Sequence, residues 1–288
     1  MKEIVKLTGT NDKINRSALI SAALLHFCAA AAGFIASKAV VLGNILPFGL
    51  SFLAGSSLTY TPAAAIGVFI GYFIPAVGSG GFRYVAAAFA IVAIKLLLGG
   101  FKKLSSNPIF LSFMTLLASF LTSAVTLSGL NFNFLSALAE ALLAAGGAFF
   151  ICRSFATFKN AAAGLESDEL VSLFVLIGIM IIGINGFEFN GISLGHITGI
   201  AVILTAAKYG GIPSGAICGT ATAFAMNLSG MSGEVSVAYA FIGLMAGIFS
   251  SFGKYVQVSV PLVVGLLGSL ISKDPILISQ TVVETALG

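Results

Sequence analysis

Charge is what this sequence has least of. Of its 288 residues only 8% are Asp, Glu, Lys or Arg, against roughly a quarter in an ordinary soluble domain. In their place 58% are hydrophobic and the mean hydropathy is +1.08. A water-soluble protein of this length cannot cover its surface with so few charges, whereas lipid accepts apolar surface on every side of a helix. Metal-binding chemistry is short of residues too. The three cysteines, Cys28, Cys152 and Cys218, lie far apart with no C-x-x-C spacing to suggest zinc or redox work, and they read as packed thiols. Asp12, Asp168 and Asp274 are the three aspartates, each in a separate connection, and cannot form a two-metal phosphatase or nuclease site. There is no G-x-x-x-x-G-K-S/T phosphate loop, and GSGG at Gly78 to Gly81 follows an apolar stretch. No metal and no cofactor are expected in this chain. The fourteen Lys and Arg give a net charge of +4, but they stand singly or in pairs without a dense patch, which argues against nucleic acid. The longest polar connection, Arg153 to Glu169, is too short to build a soluble core.

What is present is a succession of apolar stretches separated by short Gly, Pro, Asn or Ser-rich breaks. They run near Ala18 to Ser37, Val40 to Ser57, Pro62 to Val77, Tyr84 to Leu98, Pro108 to Leu127, Phe132 to Ile151, Leu170 to Ile184, Ile192 to Ala207, Ile212 to Leu228, Val235 to Phe252 and Val258 to Ile271. The expected fold is an all-α, polytopic transmembrane helical bundle of about 10–12 spans, and lipid is its first partner. Several stretches are short, so two neighbours could form a re-entrant hairpin rather than two crossings. The first stretch is longer than the core of a signal peptide and reads as an uncleaved span. No tandem repeat of fixed period is visible. With a cytoplasmic N-terminus, ten of the fourteen basic residues fall inside: Lys2, Lys6, Lys13, Arg16, Lys102, Lys103, Arg153, Lys159, Lys208 and Lys254. Lys38, Arg83 and Lys273 fall outside and Lys95 lies within a span. The positive-inside rule asks for that asymmetry. The chain thus divides into a cytoplasmic basic tail (1–17), a membrane domain (18–274) and the start of a cut-short final span (275–288).

Candidate polar sites follow from the price of charge in lipid. Glu140 sits near the middle of its stretch and needs a partner or a water-filled cavity. Lys95 is the expected partner, although it could snorkel to the cytoplasmic surface instead. His26 and His196 could relay protons, since histidine as a residue type can gain or lose one under physiological conditions, or simply pack with a hydrogen bond. Glycines four apart at Gly67 and Gly71, Gly195 and Gly199, Gly215 and Gly219, and Gly243 and Gly247 let backbones approach, within one bundle or across a dimer face. Pro47, Pro75, Pro213 and Pro261 lie in or beside spans, and the run from Tyr209 to Phe224, YGGIPSGAICGTATAF, is the most Gly-rich candidate for a broken substrate-binding helix.

One stretch, GFIASKAVVLGNILPFGLSFLAG from Gly33 to Gly55, resembles the N-terminal membrane region of the stage II sporulation protein E family. GIPSGAICGTATAFAMNLSG, AYAFIGLMAGIFSSFGK, PLVVGLLGSLIS and the terminal ETALG are similar to the end of the same region. The resemblance implies a non-catalytic anchor for a PP2C-type serine/threonine phosphatase that activates sigma factor F at the polar division septum. It also implies self-association, contact with cell-division proteins such as FtsZ, a bacterial cell membrane location, and manganese or magnesium in a phosphatase domain that this chain lacks. No residue here matches the phosphatase motifs. From the residues alone, Glu140, the histidines and the Gly-Pro breaks leave a small-molecule transporter, or its substrate-binding membrane component, as the alternative.

Overall fold

The computed structural model describes residues 2–43, 45–73, 81–126, 133–160, 167–190, 192–231, 233–272 and Val283. The expected start of a final span at 275–288 lies outside them except for Val283, as do Pro75, Lys273 and Asp274. The chain is an all-α bundle. Its helices are α1 (Lys2–Ser37), α2 (Phe48–Gly55), α3 (Thr61–Phe73), α4 (Gly81–Leu97), α5 (Lys102–Ser105), α6 (Pro108–Thr126), α7 (Phe134–Asn160), α8 (Ser167–Asn185), α9 (Leu194–Leu228), α10 (Gly233–Ile248) and α11 (Lys254–Ser272). Between α8 and α9 lies a two-residue antiparallel pair, β1 (Glu188–Phe189) with β2 (Ile192–Ser193). Among the described residues, six helices are long and apolar enough to cross a membrane by length and composition: α1 from Ala18, α4, α6, α7, α8 and α9.

Helix α9 is two helices folded back on each other. At Gly211 the backbone takes φ 63° and ψ −151°, a region open in practice only to glycine. The arms on either side run antiparallel, since a Cβ on Gly199 would touch Thr222 at 3.0 Å and one on Gly215 would touch Ala207 at 3.1 Å. Pro213 falls in the first turn of the second arm, where its missing N–H would have no helical partner. Thus Ile192 to Ala207 and Ile212 to Leu228 form the two separate helices expected, and the Tyr209 to Phe224 run is the bend and second arm of a hairpin rather than a broken substrate helix. The polar connection expected from Arg153 to Glu169 is also shorter than foreseen, because α7 stays helical to Asn160.

The second expected span, Val40 to Ser57, is the clearest correction. Only Phe48–Gly55 is helical, eight residues or about 12 Å at 1.5 Å per residue, well short of a core of about 30 Å. Val41 pairs with Ile45 in an isolated bridge before it, across a turn in which Leu42 and Gly43 take positive φ. Helix α2 then runs inward and α3 returns to the same end, beside and parallel to the second half of α1. Gly67 meets the Ala30 carbonyl, and Gly71 meets Phe34 and Ser37. The pair is a re-entrant hairpin. Because it enters and leaves on one side, it removes two crossings and leaves the alternation of basic connections intact. One end of the bundle, called the basic end below, holds the start of α1, α5 with Lys102 and Lys103, the last turns of α7 with Arg153, the bend of α9 with Lys208 and the start of α11 with Lys254. At the far end Leu42 N–H donates to Leu228 C=O at 3.0 Å, and Asn185 Nδ2 donates to Ser229 Oγ at 3.2 Å.

Two apolar cores result. The larger gathers Leu50, Phe52, Leu53, Val68, Ile91, Leu111 and Ile151 around α2, and the smaller gathers Ile200, Ile203, Cys218, Met226 and Ile242 among α8 to α10. The paired glycines bring helices together inside this one chain. A Cβ on Gly243 would fall 2.7 Å from Gly219 Cα, one on Gly247 would fall 2.7 Å from Ile212 Cα, and Gly195 closes against Asn185. Gly67→Leu should therefore lower stability by about 1–3 kcal/mol through forced separation of α1 and α3. Gly146→Leu, where nothing lies within 4 Å of the added Cβ, should leave thermal unfolding in detergent nearly unchanged.

Candidate functional site

Every residue of α2 is buried, so both helix ends leave backbone groups deep inside the bundle. An α-helix has four N–H groups at its start and four C=O groups at its end without intrahelical partners, and in lipid water cannot supply them. Pro47, at the start, provides no side-chain cap. Neighbouring helices fill both roles.

At the far-end start of α2, Tyr72 from α3 donates its hydroxyl to Leu46 C=O at 2.9 Å, and its oxygen faces the backbone amides of Gly49 and Leu50. Leu46 N–H donates to the hydroxyl of Tyr84 on α4 at 3.1 Å. The two phenol rings stack with centroids 5.3 Å apart and planes 24° apart. Arg83 folds over the Tyr84 ring, 4.7 Å from its centroid, and its Nη2 donates to the Tyr84 hydroxyl at 2.7 Å. The same Nη2 stands 3.1 Å from Glu140 Oε2, in an ion pair whose Glu140 side chain is only 1% exposed. Among the described residues, neither Glu140 oxygen nor Arg83 Nε completes a well-formed hydrogen bond, so charge attraction rather than bond geometry holds the pair.

At the inner end of α2, Lys95 from α4 does the complementary job. Its ammonium donates to Leu53 C=O at 2.8 Å, Ala54 C=O at 3.1 Å, Ser56 C=O at 2.5 Å and Ser56 Oγ at 3.3 Å. A cation is favoured where a helix dipole leaves partial negative charge. Lys95 is 1% exposed, which excludes snorkelling. Glu140 and Lys95 therefore do not pair, contrary to the sequence expectation; they serve opposite ends of α2. Glu140 also lies in the second turn of α7, because that helix begins at Phe134 and extends to Asn160, not at mid-span.

The histidines lie elsewhere. His26 Nδ1 bonds Ala22 C=O at 2.8 Å and its ring meets Tyr60 edge-on at 5.2 Å. His196 lies against Tyr239 on α10, with ring centroids 6.2 Å apart. Their ring partners lie away from both ends of α2. Among the described residues no group of three or more His, Cys, Asp or Glu could hold a metal ion. Sequence reading missed the roles of Arg83, Tyr72 and Tyr84, and gave the stretch that holds α2 without its short length. The available signal was the adjacent Arg-Tyr pair at the head of an apolar stretch, of which Arg83 was read as part of an outside connection and Tyr84 as the start of the stretch.

The SpoIIE N-terminal domain family model matches residues 2–288. This chain belongs to that family. It is also 23% identical over 251 residues to stage II sporulation protein E of Bacillus subtilis (strain 168), an alignment that covers 82% of this chain and 29% of that protein. The chain thus spans less than a third of that relative's length. No solved structure matches. For this SpoIIE N-terminal domain, the caps of α2 are the polar chemistry that the bilayer-facing bundle encloses.

Removing either cap should be costly. Lys95→Met leaves three buried carbonyls short of a donor, at about 1–3 kcal/mol each, and should abolish a cooperative unfolding transition or lower it steeply. Arg83→Met and Glu140→Met each strand one buried charge, a loss of about 3–5 kcal/mol, whereas the double substitution should recover most of that loss. Denaturant unfolding of the four variants in one detergent would measure this. A double variant as unstable as the worse single one would contradict the pairing.

Proposed function

We propose that this chain is the membrane-anchoring and localising domain of a SpoIIE-like sporulation serine/threonine phosphatase, one that activates sigma factor F at the polar division septum. The observation that carries the reading is the family match across residues 2–288 of an all-α membrane bundle. Its strongest buried polar groups, Lys95, Tyr72, Tyr84, Arg83 and Glu140, are engaged in the chain's own structure. Catalysis belongs to a PP2C-type phosphatase region with its manganese or magnesium, and this domain supplies attachment, placement and self-association, with cell-division proteins such as FtsZ as partners.

Transport fits less well. In transporters a broken helix offers its free termini to solute and ions, and here both termini of α2 are occupied by Tyr72 and Lys95.

The orientation that goes with this reading has the basic end in the cytoplasm. Reporter fusions test it. A fluorescent protein joined after Asn160 should fold in the cytoplasm, and alkaline phosphatase joined after Asn190 should be active outside. The reverse pattern would invert the topology.

The function itself is tested by replacing this domain, in a sporulating host, with an unrelated multi-span anchor joined to the same phosphatase region. Membrane attachment and phosphatase activity in vitro should persist, while septal placement and sigma factor F activation should fall severalfold. Full septal placement with the foreign anchor would sink the localising role.

A further inference from the structure

Arg83 and Glu140 hold more bonding capacity than they use on each other. The head of α4 and the second turn of α7 bring Arg83 Nη2 to 3.1 Å from Glu140 Oε2, and the same Nη2 donates to the Tyr84 hydroxyl at 2.7 Å. A guanidinium has five N–H donors, and a carboxylate has about four acceptor sites. Among the described residues, Arg83 Nε and both Glu140 oxygens are shut away from solvent without a well-formed hydrogen bond. Tyr84 relieves only part of this. Its hydroxyl accepts from Leu46 N–H and from Arg83, which leaves one proton to turn toward a Glu140 oxygen and no lone pair for Arg83 Nε.

A donor and an acceptor therefore remain on the two groups that already meet, so one small molecule can reach both. Charge decides which kind. A cation would suit the carboxylate but face the guanidinium, and an anion would suit Arg83 Nε but face the carboxylate. Water is neutral, accepts from Nε and donates to the carboxylate, and buried water is the usual partner of polar groups left over in this way. It is also the smallest molecule that does both, which matters beside a glutamate only 1% exposed. Arg83, 16% exposed at the far end where α4 and α7 begin, is where solvent meets the cluster. Toward the basic end the interior is closed. Leu50 of α2 and Ile91 of α4 are fully buried and lie between this pair and Lys95.

We propose that Arg83, Glu140 and Tyr84 enclose a binding site for an ordered water molecule, which accepts from Arg83 Nε, donates to Glu140 and so completes the cap at the start of α2. The ion pair steadies Tyr84, and the water steadies the ion pair. The site goes beyond the phosphatase-anchor reading and does not depend on it.

The sequence supplies a sparse probe, because Arg16, Arg83 and Arg153 are its three arginines. The full chain is isotopically labelled at arginine and placed in lipid nanodiscs, and Arg16→Lys and Arg153→Lys identify the Nε–H signal of Arg83 by elimination. That proton should show cross-relaxation to water, with the sign of a molecule that tumbles with the protein. A structure in which solvent is visible should then place a density peak within about 3.2 Å of both Arg83 Nε and a Glu140 oxygen, which separates water from the Tyr84 proton as the source. Combining Arg83→Met with Glu140→Met removes both groups and should lose the peak. An Arg83 Nε–H that contacts a protein acceptor and no water would overturn the proposal. Exchange with bulk solvent and no bound-water contact would replace the site with an open cleft. A peak at the shorter distances of a metal cation, or one that persists in the double variant, would equally count against it.

Discussion

A short helix buried in the middle of a membrane bundle must have both of its ends closed by protein, and most of the polar architecture here answers that requirement. Helix α2 has eight residues, all buried, and unsatisfied backbone groups at that depth cost several kcal/mol each. Tyr72 and Tyr84 serve the backbone at its start, and Lys95 serves the carbonyls at its end. Arg83 and Glu140 then hold Tyr84 in place from the side. Seen this way, the charged residues inside this apolar chain support one element. Lys95 at the end of α2 and Glu140 near its start each stand where the helix dipole suits their charge, and Glu140 offsets the cation that Arg83 brings to the start.

The same constraint explains what could and could not be read from the sequence. Span existence was legible because lipid demands long apolar runs, so the stretches around Ala18, Tyr84, Pro108, Phe132 and Leu170 reappear as α1, α4, α6, α7 and α8. The break between the arms of α9 was legible in Gly210, Gly211 and Pro213. The depth of α2 was not, because a re-entrant hairpin and two crossings share the same composition, and the parity of basic connections is identical for both. Partner choice for Glu140 failed for a related reason. Lys95 was the only cation counted inside a span, but Arg83 stands three residues into α4 and points inward. A charge at a helix head can enter the bundle as easily as the solvent, and sequence distance from the boundary does not decide between them.

The glycines divide along similar lines. Their spacing announced close helix approach, and geometry says between which helices: α1 with α3, the second arm of α9 with α10, and the head of α9 with the end of α8. These contacts lie inside one chain, so these glycine faces are taken up in its own packing. Helix α8 has a further part, because Ile179 and Ile182 belong to the larger core while Ile181 belongs to the smaller. It is a shared wall between the hairpin-centred half and the α9 to α11 half. The far-end bonds from Leu42 to Leu228 and from Asn185 to Ser229 tie those halves together at one side of the membrane.

A crossing helix in place of α2 would have needed no caps, since its ends would have met headgroups and water. A short helix inside the bundle instead recruits five polar side chains from three other helices: Tyr72 from α3, Tyr84, Arg83 and Lys95 from α4, and Glu140 from α7. The buried charge is therefore split between the two ends of α2, with Arg83 and Glu140 at its start and Lys95 at its end. Losing either end would free α2 from the helices that hold it, so the caps tie α3, α4 and α7 into one unit as well as satisfying the backbone.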